Sequence, residues 1–283
     1  MKLLRFSVGG ELPKLGVLEG DAVADLTSRI AAIGDRMELL IADWEIHRSA
    51  CEAARGTVDY RLSDVQPCAP IARPGKIFGI GLNYADHVAE ANMELPAGQL
   101  WFSKAATAAN GPYDPIQLPK VSSALDYEAE LVFVIGKRCR HVSKERAKDV
   151  IFGYCVGNDV SVRDWQFRSS QFVLGKSFDS HAPFGPWIVT SDELDPVSLG
   201  IRTFVNGEKR QDSNTRHLIF DCAAQVEELS KAMTLEPGDV IFTGTPGGVG
   251  GAMTPPCFLK AGDRVRVEID GIGHIENPVE TER

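Results

Sequence analysis

Two glutamates one residue apart, Glu128 and Glu130, stand where Asp126-Tyr127-Glu128-Ala129-Glu130 runs into the apolar stretch Leu131–Ile135. Alternate side chains of a strand share a face, so the two carboxylates point the same way at the mouth of a buried strand. There they repel each other and lose solvation, and a divalent cation removes both costs. Taken alone, Glu-x-Glu is more often the acidic solvent face of a strand end. A second segment shifts that balance. Tyr154–Ser161 reads as an apolar strand closing on Asn158-Asp159, where Asp159 offers a third carboxylate, although an Asn-Asp pair also suits a plain turn. Three carboxylates with no His or Cys make a hard oxygen donor set. It selects Mg²⁺ or Mn²⁺, with Ca²⁺ a further option, and disfavours zinc.

Polar residues with other chemistry follow. Arg163 comes four residues after Asp159, Gln166 lies one helical turn further on, and Lys176 sits in Gly175–Asp179 between glycine- and proline-rich bends. Any one of these cations, alone, is usually a solvated tip. In Pro237–Gly250 a buried strand runs into a loop of bare backbone amides with Gly244 and Thr245, a cradle for a carboxylate. A hairpin turn is the plain alternative, but so many glycines favour close approach of a ligand. His87 and Glu90, three apart in Asn83–Glu90, share a helix face, and a carboxylate orients an imidazole and raises its basicity. Surface pairs with this spacing are also common.

Three better-known signatures fail. Gly79-Ile80-Gly81 opens like a dinucleotide loop, but Tyr84 stands where the third glycine belongs. Ser170–Ser177 approximates a phosphate loop with Ser170 in place of its first glycine, and Pro183 and Pro186 interrupt the helix that should follow. There is no Gly-x-Ser-x-Gly nucleophile elbow.

The elements that must position these residues are mostly strands. Early ones are expected at Leu3–Phe6, Leu15–Leu18 and Ala22–Leu26, before a helical stretch near Ser28–Arg55. The proline-rich Gln66–Pro74 marks a junction, giving a small N-terminal α/β domain (residues 1–69) and a larger catalytic domain (70–283). Beyond it, apolar β-branched runs recur at Ile77–Ile80, Leu131–Ile135, Trp187–Val189, Ile201–Val205, Val240–Phe242 and Val265–Ile269. Helices are expected at Lys144–Phe152 and Phe220–Lys231. The strand content and irregular spacing predict an α+β, β-rich fold on a rolled or sandwiched sheet rather than repeated βαβ units.

Composition narrows the function classes. With 30 basic and 39 acidic residues, a net charge of −9 and no basic run, a nucleic-acid surface is excluded, while a small anionic substrate is not. No stretch approaches the length of a membrane span. The six cysteines are scattered without metal-like spacing and read as reduced thiols, so a cytoplasmic location is expected.

Seven segments taken in order closely resemble the fumarylacetoacetate hydrolase superfamily. They are Gly79–Glu90 (GIGLNYADHVAE), Leu125–Lys137, Gly153–Gln166, Gly175–Trp187, Phe204–Thr215, Leu235–Gly250 (LEPGDVIFTGTPGGVG) and Phe258–Val279. The first 69 or so residues resemble the small N-terminal domain of many bacterial members. The resemblance implies a mixed β-sandwich roll and a homodimer. It matches the metal ligands to Glu128, Glu130 and Asp159, and the lid pair to His87 and Glu90. The binders of the oxyanion or substrate carboxylate match Arg163, Gln166, Lys176 and Thr245. His217 and His274 depart from the look-alike pattern and are read as structural variation. The implied chemistry is an enolate reaction on a 2-oxo acid whose carboxylate and ketone chelate the metal, with Lys176 and Arg163 around the developing oxyanion. If the substrate carries a second ketone, His87 held by Glu90 activates a water. The expected reaction is then C–C hydrolysis of an acylpyruvate or a 2,4-diketo-3-deoxy sugar acid. Oxaloacetate decarboxylation and 2-hydroxyhepta-2,4-diene-1,7-dioate isomerisation use the same enolate, and a metal-stabilised binding protein without turnover is the non-enzyme alternative. The walls that decide lie in 92–98, 99–102 and 168–172.

Overall fold

In a computed structural model, residues 1–30, 32–85 and 96–282 are described. Their architecture is strand-rich α+β, built on two main sheets. The larger has twelve strands. From its Tyr60–Arg61 edge the order is Ala22–Asp25, Lys14–Glu19, Lys2–Ser7, Ala182–Thr190, Ile151–Asn158, Ala129–Ile135, Val240–Phe242, Ile77–Gly81 and Leu100–Lys104. The N-terminal strands therefore continue the large sheet, with Lys2 opposite Val189 and Leu3 opposite Ile188. The smaller sheet has five strands, in the order Glu208–Asn214, Gly200–Val205, Arg264–Ile269, Gly273–Thr281 and Ile116–Leu118.

The Ala129–Ile135 strand is buried at every residue, as its unbroken apolar run requires of a strand covered on both faces. Alternation sends Leu131, Phe133 and Ile135 into a core shared with Ile201, Val267 and Ile269 of the smaller sheet. Val132 and Val134 face the opposite way, into a core with Leu3, Leu15, Leu40 and Ile41. Glu130 shares the parity of this second set.

Most of the expected strands are present, several longer than their apolar cores. Two helical expectations need correction. The stretch near 28–55 holds two helices, Met37–Ala42 and Trp44–Ala54, separated at Asp43. The expected helix over 144–152 is a 3₁₀ helix at Lys144–Asp149, after which Ile151 and Phe152 open the Ile151–Asn158 strand. Their apolar side chains are buried in that strand, which decides their conformation over helical periodicity. The helix near 220–231 is Cys222–Ala232, and the Asp221 carboxylate caps it by accepting from the Ala224 amide at 2.7 Å. Among the described residues no helix is long and apolar enough to cross a membrane.

Candidate active site

Antiparallel pairing puts the three predicted carboxylates together. Ala129 lies opposite Asn158, so the residues just outside that pair, Glu128 and Asp159, become neighbours. The Asp159 amide donates to the Glu128 carbonyl at 2.9 Å, and the Glu128 amide donates to Asn158 Oδ1 at 2.9 Å. Glu128, Glu130 and Asp159 are all buried, and each offers a carboxylate oxygen within 4.8 Å of the other two. Burial on this scale demands compensation for every charge.

Three cations supply part of it. Lys176 Nζ bridges Glu128 Oε2 and Asp159 Oδ2, both at 2.7 Å. Arg163 donates through Nη1 to Glu128 Oε1 at 2.5 Å and to Gln166 Oε1 at 3.0 Å, and through Nε to Asp126 Oδ2 at 2.8 Å. Lys104 pairs with Asp159 Oδ1 and donates to the Val160 carbonyl at 3.2 Å. Burial disfavours the ionised form of Glu128, yet Lys176 and Arg163 hold its carboxyl well below the usual range. Burial pushes Lys104 below the ordinary lysine value, whereas Asp159 and Glu128 outweigh burial at Lys176 and raise it.

Glu130 differs from the other two. Its Oε2 accepts from the Gly244 amide at 2.6 Å, but among the described residues no cation pairs with it. Burial, with the Asp159 and Glu128 charges beside it, raises its pKa well above the carboxylate range. A carboxylate left over in an all-oxygen cluster fits a hard divalent cation such as Mg²⁺ or Mn²⁺. Glu128, Glu130 and Asp159 are the residues that would hold it.

A cavity of about 360 Å³ opens beside this cluster, and Glu128, Arg163, Gln166, Lys176 and Thr245 reach it. Two glycines make the arrangement possible. Gly175 lets the short Val173–Lys176 helix dock on Arg163–Gln166, since a Cβ there would lie 2.3 Å from the Gln166 amide nitrogen. Gly244 adopts φ +98°, which favours glycine, and so aims its amide at Glu130. Thr245 Oγ1 accepts from Gln211 Nε2 at 2.9 Å, leaving its hydroxyl hydrogen to donate to a ligand. Arg163 Nη2 is buried without a partner and remains a donor for a bound anion.

Sequence reasoning missed three residues of this apparatus. Lys104 is one. Asp126 is another: it clamps the Gly250 and Gly251 amides at 2.9 and 2.8 Å as well as Arg163. The third, Gln211, also donates to the Pro246 carbonyl at 2.8 Å and accepts from the Ala129 amide at 2.9 Å. Asp126 was visible as the acidic residue ahead of Glu128, but nothing local marked Lys104 or Gln211. His217 is exposed on a 3₁₀ turn, and His274 lies edge-on to Tyr113; neither lines the cavity. The predicted pair His87 and Glu90 lies outside the described residues.

Residues 76–280 match the family model described as "Fumarylacetoacetate (FAA) hydrolase C-terminal". The chain belongs to the fumarylacetoacetate hydrolase family. It is 43% identical over 290 residues to "Oxaloacetate tautomerase fahd2, mitochondrial" of Xenopus laevis, covering 99% of this chain and 90% of that one. Among solved structures it resembles maleylpyruvate hydrolase from Sphingobium sp. SYK-6, in complex with manganese(II) and pyruvate (TM-score 0.85, 37% identity, full coverage of both chains). It also resembles 2-hydroxyhepta-2,4-diene-1,7-dioate isomerase from Mycobacterium marinum (TM-score 0.78, 34% identity, covering 100% of this chain and 99% of that one). The names of these relatives include a tautomerase, a hydrolase and an isomerase.

Proposed function

We propose that this protein is an Mg²⁺- or Mn²⁺-dependent hydrolase that cleaves the C3–C4 bond of a small 2,4-dioxo acid, giving pyruvate or a related 2-oxo acid and a carboxylic acid. The observation that carries the reading is the buried Glu128–Glu130–Asp159 cluster, with no cation paired to Glu130 among the described residues, beside a cavity lined by Glu128, Lys176, Arg163 with its unpartnered Nη2, and Thr245. A cation held there supplies Lewis acidity toward a 2-oxo group.

The chain's own residues supply the rest. The Thr245 hydroxyl donates to the substrate carboxylate, while Arg163 Nη2 and Lys176 place positive charge beside the C2 oxygen. His87, oriented by Glu90, takes a proton from water, and the resulting hydroxide adds to C4. The C3–C4 bond then breaks, its electron pair forms the enolate of the 2-oxo acid, and C3 finally takes up a proton. Water is consumed, and the products are the two acids. Asp126 and Gln211 touch no substrate in this scheme. They fix Arg163, the Gly250–Gly251 turn and Thr245, so that little reorganisation accompanies the change in charge.

A second reading is keto–enol proton transfer on oxaloacetate, favoured by the 43% identity to a chain named for that activity. It uses the same cluster without the hydrolytic water, as do decarboxylation and diene isomerisation. One experiment separates them. Metal-stripped protein, with and without Mn²⁺ or Mg²⁺, is given acylpyruvates, 2,4-dioxo sugar acids and oxaloacetate, and pyruvate, CO₂ and enol absorbance are followed. Metal-dependent pyruvate without CO₂, abolished in His87→Ala, is the expected outcome. Loss of the oxaloacetate enol signal with no C–C cleavage would replace hydrolysis by tautomerisation, and pyruvate with equimolar CO₂ would make the protein a decarboxylase. Undiminished hydrolysis by His87→Ala would remove that residue from the base role.

A further inference from the structure

The two ends of the cavity differ in chemistry. Building on the function proposed above, we infer that the substrate carries an uncharged, apolar tail beyond its 2-oxo acid head, selected by Phe102, Phe167, Phe172 and Phe258. Among the described residues, the charged side chains lining the cavity are Glu128, Arg163 and Lys176, which pair with one another at one pole. The remainder of the lining is dominated by the four phenylalanines with Ile80, Leu82 and Val249.

Three of these phenylalanines form a connected wall. Phe102 and Phe172 have ring centroids 6.1 Å apart, and Phe172 meets Phe167 edge-on at the same 6.1 Å. The Lys176 ammonium lies 4.9 Å from the centroid of Phe102, so the wall begins where the polar pole ends. Among the described residues, these rings are the surface that a tail leaving the carboxylate pole meets. Phe167, which lines the cavity, is 69% exposed, so the apolar wall reaches solvent. Exposed apolar surface concentrated beside a cavity marks a binding face.

Among the described residues, a tail ending in a carboxylate would be desolvated against the negative faces of these rings without a compensating cation. Arg168, the nearest cation in sequence to Phe167, is stacked 3.7 Å from the Trp165 ring centroid and does not line the cavity. A polyhydroxylated tail would likewise leave hydroxyls unpaired along the wall. An alkyl or single-ring aryl group gains from the same surface, and the volume of about 360 Å³ suits a ligand of that size. Phe102 and Phe172 fall in the two segments, 99–102 and 168–172, that sequence left open as specificity walls.

The test uses the full chain loaded with Mn²⁺. Cleavage is measured for 2,4-dioxo acids with methyl, propyl, pentyl and phenyl tails, against length-matched tails ending in a carboxylate or bearing hydroxyls. In parallel, calorimetry measures binding of uncleavable 2-oxo acids, 2-oxoheptanoate against 2-oxoheptanedioate. The expected result is a rise in kcat/KM of about fourfold per added methylene until the cavity is filled. The carboxylate-ended tails should fall at least about a hundredfold below their apolar counterparts, with the same order in binding. Phe172→Ala should flatten the chain-length dependence, and Phe172→Arg should shift preference toward the carboxylate-ended tail. Equal or better use of carboxylate-ended or hydroxylated tails, with tighter binding of the dioate, would overturn the inference. If no dioxo acid is cleaved, the hydrolase reading fails, but the binding series still reports the tail preference.

Discussion

Replacing Glu130 by glutamine should move stability in opposite directions with and without metal. In the metal-free protein Glu130 is a buried carboxylate whose oxygen takes one amide hydrogen bond, from Gly244, and which has no paired cation among the described residues. Glutamine keeps that acceptor. Its new NH₂ group faces carboxylates whose oxygens lie within 4.8 Å. Removing a carboxyl whose ionised form is penalised by burial, while keeping its hydrogen bond, should stabilise the metal-free fold by about 1–2 kcal/mol. At roughly 2–4 °C per kcal/mol for a chain of this size, Tm should rise by a few degrees.

Metal reverses the order. With Mn²⁺ at a hundred times its Kd, the wild type gains about 2.7 kcal/mol, or roughly 5–10 °C. Loss of one of three carboxylate donors should raise Kd by about a hundredfold or more, since perturbing mere outer partners of ligands already costs 10–100-fold. At the same Mn²⁺ concentration the variant would then gain only about 0.4 kcal/mol, roughly 1 °C. Scanning calorimetry of stripped and Mn²⁺-loaded protein, with titration calorimetry for Kd, reads both effects. A Glu130→Gln protein that melts lower than wild type without metal, yet keeps the full Mn²⁺ shift, would refute the assignment of Glu130 as an unpaired ligand.

Two further outcomes are expected. Gly175→Ala places a Cβ 2.3 Å from the Gln166 backbone nitrogen, so the Lys176 helix must shift; kcat/KM should fall about a hundredfold and stability by about 1–3 kcal/mol, measured by steady-state kinetics and thermal melting. His181 is buried, with one ring nitrogen on the Gln117 carbonyl at 2.8 Å and Nδ1 unpartnered, and burial lowers its pKa to about 3. The unfolded chain binds a proton near pH 6.5 that the folded one refuses. This contribution is therefore complete above pH 6.5 and is lost as pH falls toward 3, by roughly 2–3 kcal/mol between pH 7 and pH 4.5. Urea unfolding at each pH should show a clearly shallower acid slope for His181→Gln, and an unchanged slope would contradict this assignment.

The parts of this molecule legible in its sequence are those governed by local periodicity. Period-two burial, Glu128 and Glu130 at the head of an apolar strand, Asp159 at the end of the next, and Arg163 with Gln166 one turn apart all follow from residues close in the chain. Where local patterns competed, sequence misled: the helical pattern of 144–152 gave way at Ile151 because those side chains are buried as strand. What only the tertiary structure decided is which charge each group meets. Lys104 reaches Asp159 across 55 positions, Lys176 reaches Glu128 across 48, and Gln211 reaches Ala129 across 82. No periodicity carries such pairings, because they exist only once the sheets bring their strands together. The same closure decided that Glu128 and Asp159 gain cationic partners while Glu130, among the described residues, meets the Gly244 amide and no cation. The energy of a buried charge depends on everything around it in space, and sequence orders only what is adjacent along the chain.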